Sequence, residues 1–362
     1  MKLTNNVLAF SQAYGLKDLL EGFEDYYNHY KAEIMGKNTS YKKEINFAEK
    51  TNTLHASIEK VIATMSNTQS LGFSEAVMRT NPTYQWAAFA VVGAMIDSVI
   101  ADSVNDNFAR FAEVKNVGFG DSLAFDIKPN DLFITTKAGK GKRHAFAQRQ
   151  FNGQAVLIPE NHMITVEEDL YRILAGKRNL AEYAVKVALS VEEQMMDEVY
   201  GAINDTYSAL PTQFKEASFT QTTFVQLAQR TKAFNGGASI AAFGTQVALS
   251  SILPANDYLK MGLGQEYTRT GFLSQYMGID LFEIPQKANW ASATYATKLD
   301  DTRVYLIASS QDKLIKVGIE GSTLSFNDVV GANATLTQKQ TMHKKYAVGL
   351  ISNAFYGIVD LA

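Results

Sequence analysis

The side chains with the clearest chemical capacity are five cations in a glycine-containing stretch, at Lys137, Lys140, Lys142, Arg143 and Arg149. Clustered cations suit three roles: ion pairing with an acidic surface, contact with nucleic-acid phosphates, or simple solvation. We favour ion pairing with another subunit. The acidic candidates lie on the polar face of a long predicted helix, at Glu192, Glu193, Asp197 and Glu198.

Other residue types that support catalysis or metal binding form no recognisable site. The run from Gly139 to Lys142 lacks the Gly-Lys-Ser/Thr ending of a phosphate loop, and Gly262-Leu263-Gly264 lacks the last glycine of a dinucleotide fingerprint. The histidines are scattered without a metal-binding spacing: His29, His55, His144, His162 and His343. The chain has no cysteine. We therefore predict no catalytic residue, no metal and no cofactor.

Composition narrows the class of protein further. The 362 residues are 46% hydrophobic and carry a formal net charge of −3, so the chain has material for a sizeable core and about two domains. A slightly negative net charge argues against a protein that mainly binds nucleic acid, because such proteins usually have an excess of basic residues. The start of the chain lacks a signal-peptide core, and we expect Met1 to mark an uncut N-terminus. The longest apolar run, Trp86–Ile96, is too short to span a membrane and predicts a buried helix.

The basic segment lies between extended runs and is followed by a long amphipathic helix. Strand formers and turns from Gly118 to Ile158 predict a long hairpin whose flexible, positive tip projects toward another chain. Thr165 and Glu168 then have the spacing of a capping box. Apolar residues recur with helical period from there to Ile203, which predicts a strut of roughly 60 Å if the helix is continuous.

The remaining chain divides into an arm, an α/β region and a final strand. Residues 1 to about 75 predict two amphipathic helices, which could dock on their own body or on a neighbour. A buried helix follows, and Asn105-Asp106-Asn107 should break it. From Phe219 helices alternate with strands, beginning with a helix capped by Thr220. The stretch from Gln338 to Asp360 predicts one long strand that returns across the strut.

This order of elements resembles the major capsid proteins of tailed bacteriophages, which have the Hong Kong 97-like (HK97-like) fold. The local sequence is similar as well, in the strut start Ile164-Thr165-Val166-Glu167-Glu168-Asp169-Leu170, in the run Phe224–Thr245, and in Tyr276-Met277-Gly278-Ile279-Asp280-Leu281-Phe282. The resemblance covers about residues 105–362.

The resemblance implies an α+β fold with four parts. Residues 1–116 would form an N-terminal arm with helices, and residues 117–160 an extended hairpin loop that overlaps the neighbouring subunit. Residues 161–211 and 326–362 would form the peripheral domain, and residues 212–325 the axial domain. Some family members crosslink a loop lysine to an asparagine on a neighbour, but we expect an uncrosslinked basic tip.

The resemblance also implies a function without enzyme activity. The chain would be a virion capsid subunit, assembled in the bacterial cytoplasm into pentamers and hexamers of a shell around double-stranded DNA, without sequence-specific binding and without a membrane. Scaffold, portal and decoration proteins would be further partners. Two alternatives stay open: an encapsulin-like compartment that encloses cargo enzymes, and a soluble α/β enzyme with a pocket in residues 212–325.

Overall fold

A computed structural model describes most of the chain. The described residues are 12–33, 46–68, 81–108, 112–129, 133, 135, 147–149, 153–169, 180–254, 264, 267–289, 293–309, 312–327 and 337–361. The helices are α1 Lys17–Glu33, α2 Phe47–Met65, α3 Pro82–Phe108, α4 Leu180–Asn204, α5 Gln221–Phe234 and α6 Gln246–Ser250.

The strands form two larger sheets and one hairpin. They are β1 Ala112–Val117, β2 Leu123–Ile127, β3 Gly153–Leu157, β4 Glu160–Asp169, β5 Lys215–Glu216, β6 Ile240–Gly244, β7 Gln275–Tyr276, β8 Ile279–Glu283, β9 Arg303–Ala308, β10 Ile315–Asn327, β11 Thr337–Leu350 and β12 Tyr356–Asp360. The first sheet has the order β1-β10-β11-β4, and the second has the order β5-β12-β9-β6-β8-β7. The hairpin pairs β2 with β3.

A layer of helices covers one face of the first sheet. The apolar stripe of α4, from Ala181 to Ile203, packs against α3 and β11, and α1 and α2 pack against α3. The Pro82–Ile100 part of α3 is long and apolar enough to cross a membrane, but 72% of that stretch is buried inside the protein. It is therefore a core helix of this fold, as the sequence predicts. The arm helices α1 and α2 belong to the same hydrophobic core and dock on their own chain.

The second sheet carries α5 and α6 and has its own core around Phe224 and Leu249. Thr220 and Thr223 form a reciprocal capping box at the start of α5, so this predicted helix start is confirmed. Gly236 and Gly237 follow its end with positive φ angles of 66° and 86°, which glycine adopts without steric cost.

Four expectations from the sequence are wrong. Thr165 does not cap a helix, because it lies within β4 opposite Thr341, and the described helix begins only at Leu180. The helix α3 continues through the expected break to Phe108. The final stretch is two strands in two different sheets, not one. Consequently β10 leaves the expected axial region for the first sheet, and β12 leaves the expected peripheral region for the second.

Candidate subunit-contact surfaces

The hairpin base, defined as β2 and β3, is anchored on the first sheet. Leu123 and Phe125 are buried, and Lys115 of β1 donates a hydrogen bond of 2.6 Å to the carbonyl of residue 124. A Cβ atom at Gly318 would lie 2.7 Å from the methyl groups of Leu123, and one at Gly349 would lie 2.7 Å from a methyl group in β3. Glycine at these two positions lets the hairpin base approach the sheet closely.

The same hairpin presents large apolar side chains to solvent. Val156 is exposed, Ile158 is 82% exposed, and Phe133, farther along the hairpin chain, is 60% exposed. Single exposed apolar residues are common on monomers, but several on one segment of the chain indicate a contact surface. The hairpin is therefore the first candidate surface.

A second apolar surface lies on the face of the first sheet that the helices do not cover. The register places Met163, His343 and Leu324 side by side on β4, β11 and β10. Met163 is 63% exposed, and Leu324 and Phe326 are exposed too, with Phe326 edge-on against the His343 ring at 5.3 Å. Among the described residues, the hairpin base packs against one end of this face, and Met163, Leu324 and Phe326 remain exposed.

The acidic residues predicted on the strut serve mainly inside the chain. Glu192 is buried, and it accepts hydrogen bonds from the Tyr27 hydroxyl at 2.6 Å and from Lys31 at 3.0 Å. The expectation that it faces solvent is wrong, because α1 covers this side of α4. Asp197 pairs with Lys298 at 2.8 Å.

The other two strut acids, Glu193 and Glu198, are partly exposed. Glu198 accepts hydrogen bonds at 3.0 Å from the Tyr346 hydroxyl and lies 3.0 Å from His162. Burial, reinforced by the charge of Glu198, raises the pKa of Tyr346, so the phenol stays protonated and donates. Glu193 is partly exposed and has no ion-pair partner among the described residues. It alone keeps a carboxylate available for the contact predicted from the sequence.

The basic segment falls largely outside the described residues. Lys137, Lys140, Lys142 and Arg143 lie there, while Arg149 is described and exposed. Its pairing with a neighbouring subunit therefore stays a prediction.

Two buried ion pairs went unnoticed in the sequence. Lys344 of β11 pairs with Asp97 of α3, and the Asp97 carboxylate also accepts hydrogen bonds from the Thr323 amide at 2.8 Å and hydroxyl at 2.6 Å. Lys316 of β10 donates to Asp312 at 2.6 Å and to a β1 carboxylate at 2.7 Å. A lone Asp in the apolar run of α3 was the available signal, since a buried charge requires a partner.

A groove opens between β4 and α4. Its volume is about 330 Å³. Its polar lining residues include Ser190 and Gln194 of α4. Most of its lining is apolar and comes from residues of α3, α4, β4 and β11: Ile96, Met163, Ile164, Val187, Val191, Met342 and Tyr346. Within the described part of the chain, no three His, Asp or Glu side chains group as metal ligands. Because most of its lining is apolar, the groove suits an apolar side chain.

One protein family matches most of the chain. A family model described as "SPbeta prophage-derived putative capsid protein YonB" matches residues 28–360. A search of the curated proteins found no match. Among solved structures, the chain is similar to the mature capsid of bacteriophage PhiM1, with 12% identity over 69% of this chain and 85% of that chain and a TM-score of 0.46.

Two other solved capsids resemble the chain to a similar degree. For the capsid of cyanophage P-SCSP1u the identity is 12% over 70% of this chain and 88% of that chain, with a TM-score of 0.47. For the capsid of an empty GTA particle it is 10% over 70% and 89%, with a TM-score of 0.45. The likeness to these structures is distant, and the family match spans far more of the chain.

Proposed function

Because the chain belongs to the family of the prophage-derived capsid protein YonB, and so is a structural subunit of a phage capsid shell, we propose that it is the major capsid protein that closes an icosahedral head around double-stranded DNA. Pentamers and hexamers of the chain form the shell, which assembles in the host bacterial cytoplasm. The protein acts by geometry and catalyses no reaction.

One observation carries this proposal beyond family membership: the subunit has apolar contact surfaces on two different elements. The hairpin exposes Phe133, Val156 and Ile158, and the uncovered sheet face exposes Met163, Leu324 and Phe326. A subunit that uses two unlike surfaces makes heterologous contacts, and these generate rings when the rotation closes. Each contact contributes modestly, but a subunit held at several edges leaves only when all of them break.

The division of labour among the parts follows the two sheets. We assign the hairpin to contacts that link neighbouring subunits. The first sheet with α3 and α4 forms the peripheral part of the subunit, and the second sheet with α5 and α6 makes the contacts around the five-fold and six-fold axes. The β12 strand joins the axial part, because it pairs with β9. Scaffold, portal and decoration proteins are partners in this proposal.

Electron microscopy of the purified recombinant chain, with its sedimentation profile, tests the proposal. We expect closed shells, or rings of five or six subunits, and shells purified from infected or induced cells should contain double-stranded DNA. A chain that stays monomeric at all concentrations, with and without the proteins encoded beside it, would contradict the proposal. Shells that enclose an enzyme instead of DNA would favour the compartment alternative.

Removal of the basic segment tests the role of the hairpin. A variant lacking residues 137–143 should fold, because the hairpin base is fixed by β2, β3 and Gly318, but it should assemble poorly. A matched control replaces the same residues with an uncharged glycine-serine segment of equal length, which separates loss of charge from loss of length. Normal, equally stable shells from the deletion would refute the lacing role.

A further inference from the structure

The groove between β4 and α4 is large enough for a small molecule. Its volume of about 330 Å³ lies at the lower end of the range for ligand pockets, which is about 300–1,000 Å³. If each water-sized group takes about 30 Å³, the groove has room for roughly ten non-hydrogen atoms. Its described lining comes from one subunit, so the site exists before any neighbour is present.

The walls of the groove suit an apolar or aromatic body. Ile164 of β4 and Val187 and Val191 of α4 are among the aliphatic side chains that line it. Tyr346 lines it too, and His162 stacks on the Tyr346 ring with 3.7 Å between the ring centroids. The hydroxyl of Tyr346 donates to a carboxylate of α4, so this residue offers the groove its ring. Apolar area that a ligand removes from water here stabilises the complex.

One buried cation in the lining has an unused hydrogen-bond donor. The side chain of Lys344 is 5% exposed, and its ammonium donates to the Asp97 carboxylate and, at 3.4 Å, to the carbonyl of Gly321. A lysine ammonium has three N–H groups. The third has no acceptor among the described residues. A ligand oxygen would supply that acceptor.

The charges around the groove favour an uncharged ligand. Asp97 is 3% exposed and already provides the counter-charge of Lys344. No aspartate or glutamate of the described chain lines the groove itself. A carboxylate would lose its hydration without gaining an unpaired cation, and an ammonium group would find no carboxylate in the lining. A neutral oxygen, such as that of a carbonyl group, avoids both costs.

We propose that the groove between β4 and α4 binds a small uncharged molecule that has an apolar body and one carbonyl oxygen. The body contacts the aliphatic and aromatic walls, and the oxygen accepts the third N–H of Lys344. This assignment goes beyond the capsid function, because the site lies within one subunit and binding requires no shell.

Titration of the unassembled subunit with propiophenone, an uncharged aromatic ketone of about the right size, tests the proposal by calorimetry and ligand-observed NMR. We expect one site per subunit with a Kd on the order of 0.1–1 mM, which is ordinary for so small a ligand. Propylbenzene lacks the oxygen and should bind at least about fivefold more weakly. The anion 3-phenylpropanoate should bind at least about tenfold more weakly.

Variants of the subunit locate the site. Ser190→Trp places a large ring at an exposed lining position of α4, so the variant should fold but bind propiophenone at least about tenfold more weakly. Val247→Trp, on α6 and outside this lining, is the matched control and should bind as the natural chain does. Combining Asp97→Leu with Lys344→Met removes the donor together with its counter-charge. This double variant should bind propiophenone and propylbenzene with equal affinity.

Several results would overturn the assignment. They are no saturable binding of propiophenone, equal binding by the Ser190→Trp variant, and equal affinities of the natural chain for propiophenone and propylbenzene. A double variant that still prefers the ketone would also overturn it, because the oxygen would not be bound by Lys344. Microscopy of the shell is a separate measurement, so a failure to bind leaves the capsid function standing, and an absence of shells leaves the binding site standing.

Discussion

The buried pair of Asp97 and Lys344 allows a quantitative test of what joins the helix layer to the first sheet. Their side chains are only 3% and 5% exposed, and Asp97 also accepts two hydrogen bonds from Thr323. Asp97→Ala leaves the Lys344 ammonium buried without its counter-charge and removes both acceptors. Breaking a buried pair in this way costs about 3–5 kcal/mol of unfolding free energy.

The assay is urea denaturation of the unassembled subunit, followed by intrinsic fluorescence. Combining Asp97→Leu with Lys344→Met removes both charges and should recover most of the loss, because apolar replacement of a buried pair is often neutral. As a control, Glu21→Ala breaks an exposed pair with Lys17 and should change stability by at most about 1 kcal/mol. A cost below about 1 kcal/mol for Asp97→Ala, or a double variant as unstable as the single one, would refute the reasoning.

Three further changes follow from the described contacts. Gly318→Val should displace Leu123 at a cost of about 1–3 kcal/mol and speed protease cleavage of the hairpin, because its side chain would overlap Leu123. Glu192→Ala removes the acceptor of the Tyr27 hydroxyl, so α1 should loosen by about 1.5–3 kcal/mol and exchange its amide hydrogens faster. Burial raises the pKa of Tyr305 from 10.0 to about 12. Its neutral phenol therefore stabilises the fold fully below pH 10, and this contribution is lost as the pH rises toward 12. Between pH 10 and 12 the Tyr305→Phe variant should lose less stability than the natural chain.

Each of these three has a contrary result. Cleavage of the hairpin at the natural rate would show that the sheet tolerates a side chain at residue 318. Unchanged amide exchange in α1 would mean that packing alone holds this helix. Parallel pH profiles of stability for Tyr305→Phe and the natural chain would contradict the alkaline effect.

Elements with a strong local signal were predictable from the sequence. The helix α5 has a capping box at Thr220, where the sequence predicts its start, and glycines follow its end. The strand β9, Arg303–Ala308, is a run of buried apolar residues, a pattern that favours a strand. In such segments local propensity, periodicity and termination signals agree with the tertiary fold.

The errors arose where the local sequence was compatible with two different structures. The stretch at Thr165 satisfies a capping-box spacing, but its β-branched residues also suit a strand, and pairing with β11 decides between them. Three turn-forming residues near Asn105 cost a helix less than about 0.7 kcal/mol each, so α3 continues through them. The partner of Glu192 is in α1, 161 to 165 residues earlier, a distance over which periodicity carries no information.

The strand order of the first sheet has a consequence for how the subunit is made. The outer strands β1 and β4 are synthesised before the inner ones. Among the described strands of this sheet, β1 pairs with β10 and β4 with β11, and both partners lie near the end of the chain. During translation, at about 5–20 residues per second, β1 waits for β10, which ends at residue 327, and β4 waits for β11, which ends at residue 350. The contact surfaces on this sheet therefore form only in a nearly finished chain. Synthesis itself delays polymerisation, and an incomplete chain cannot enter a growing lattice through this sheet.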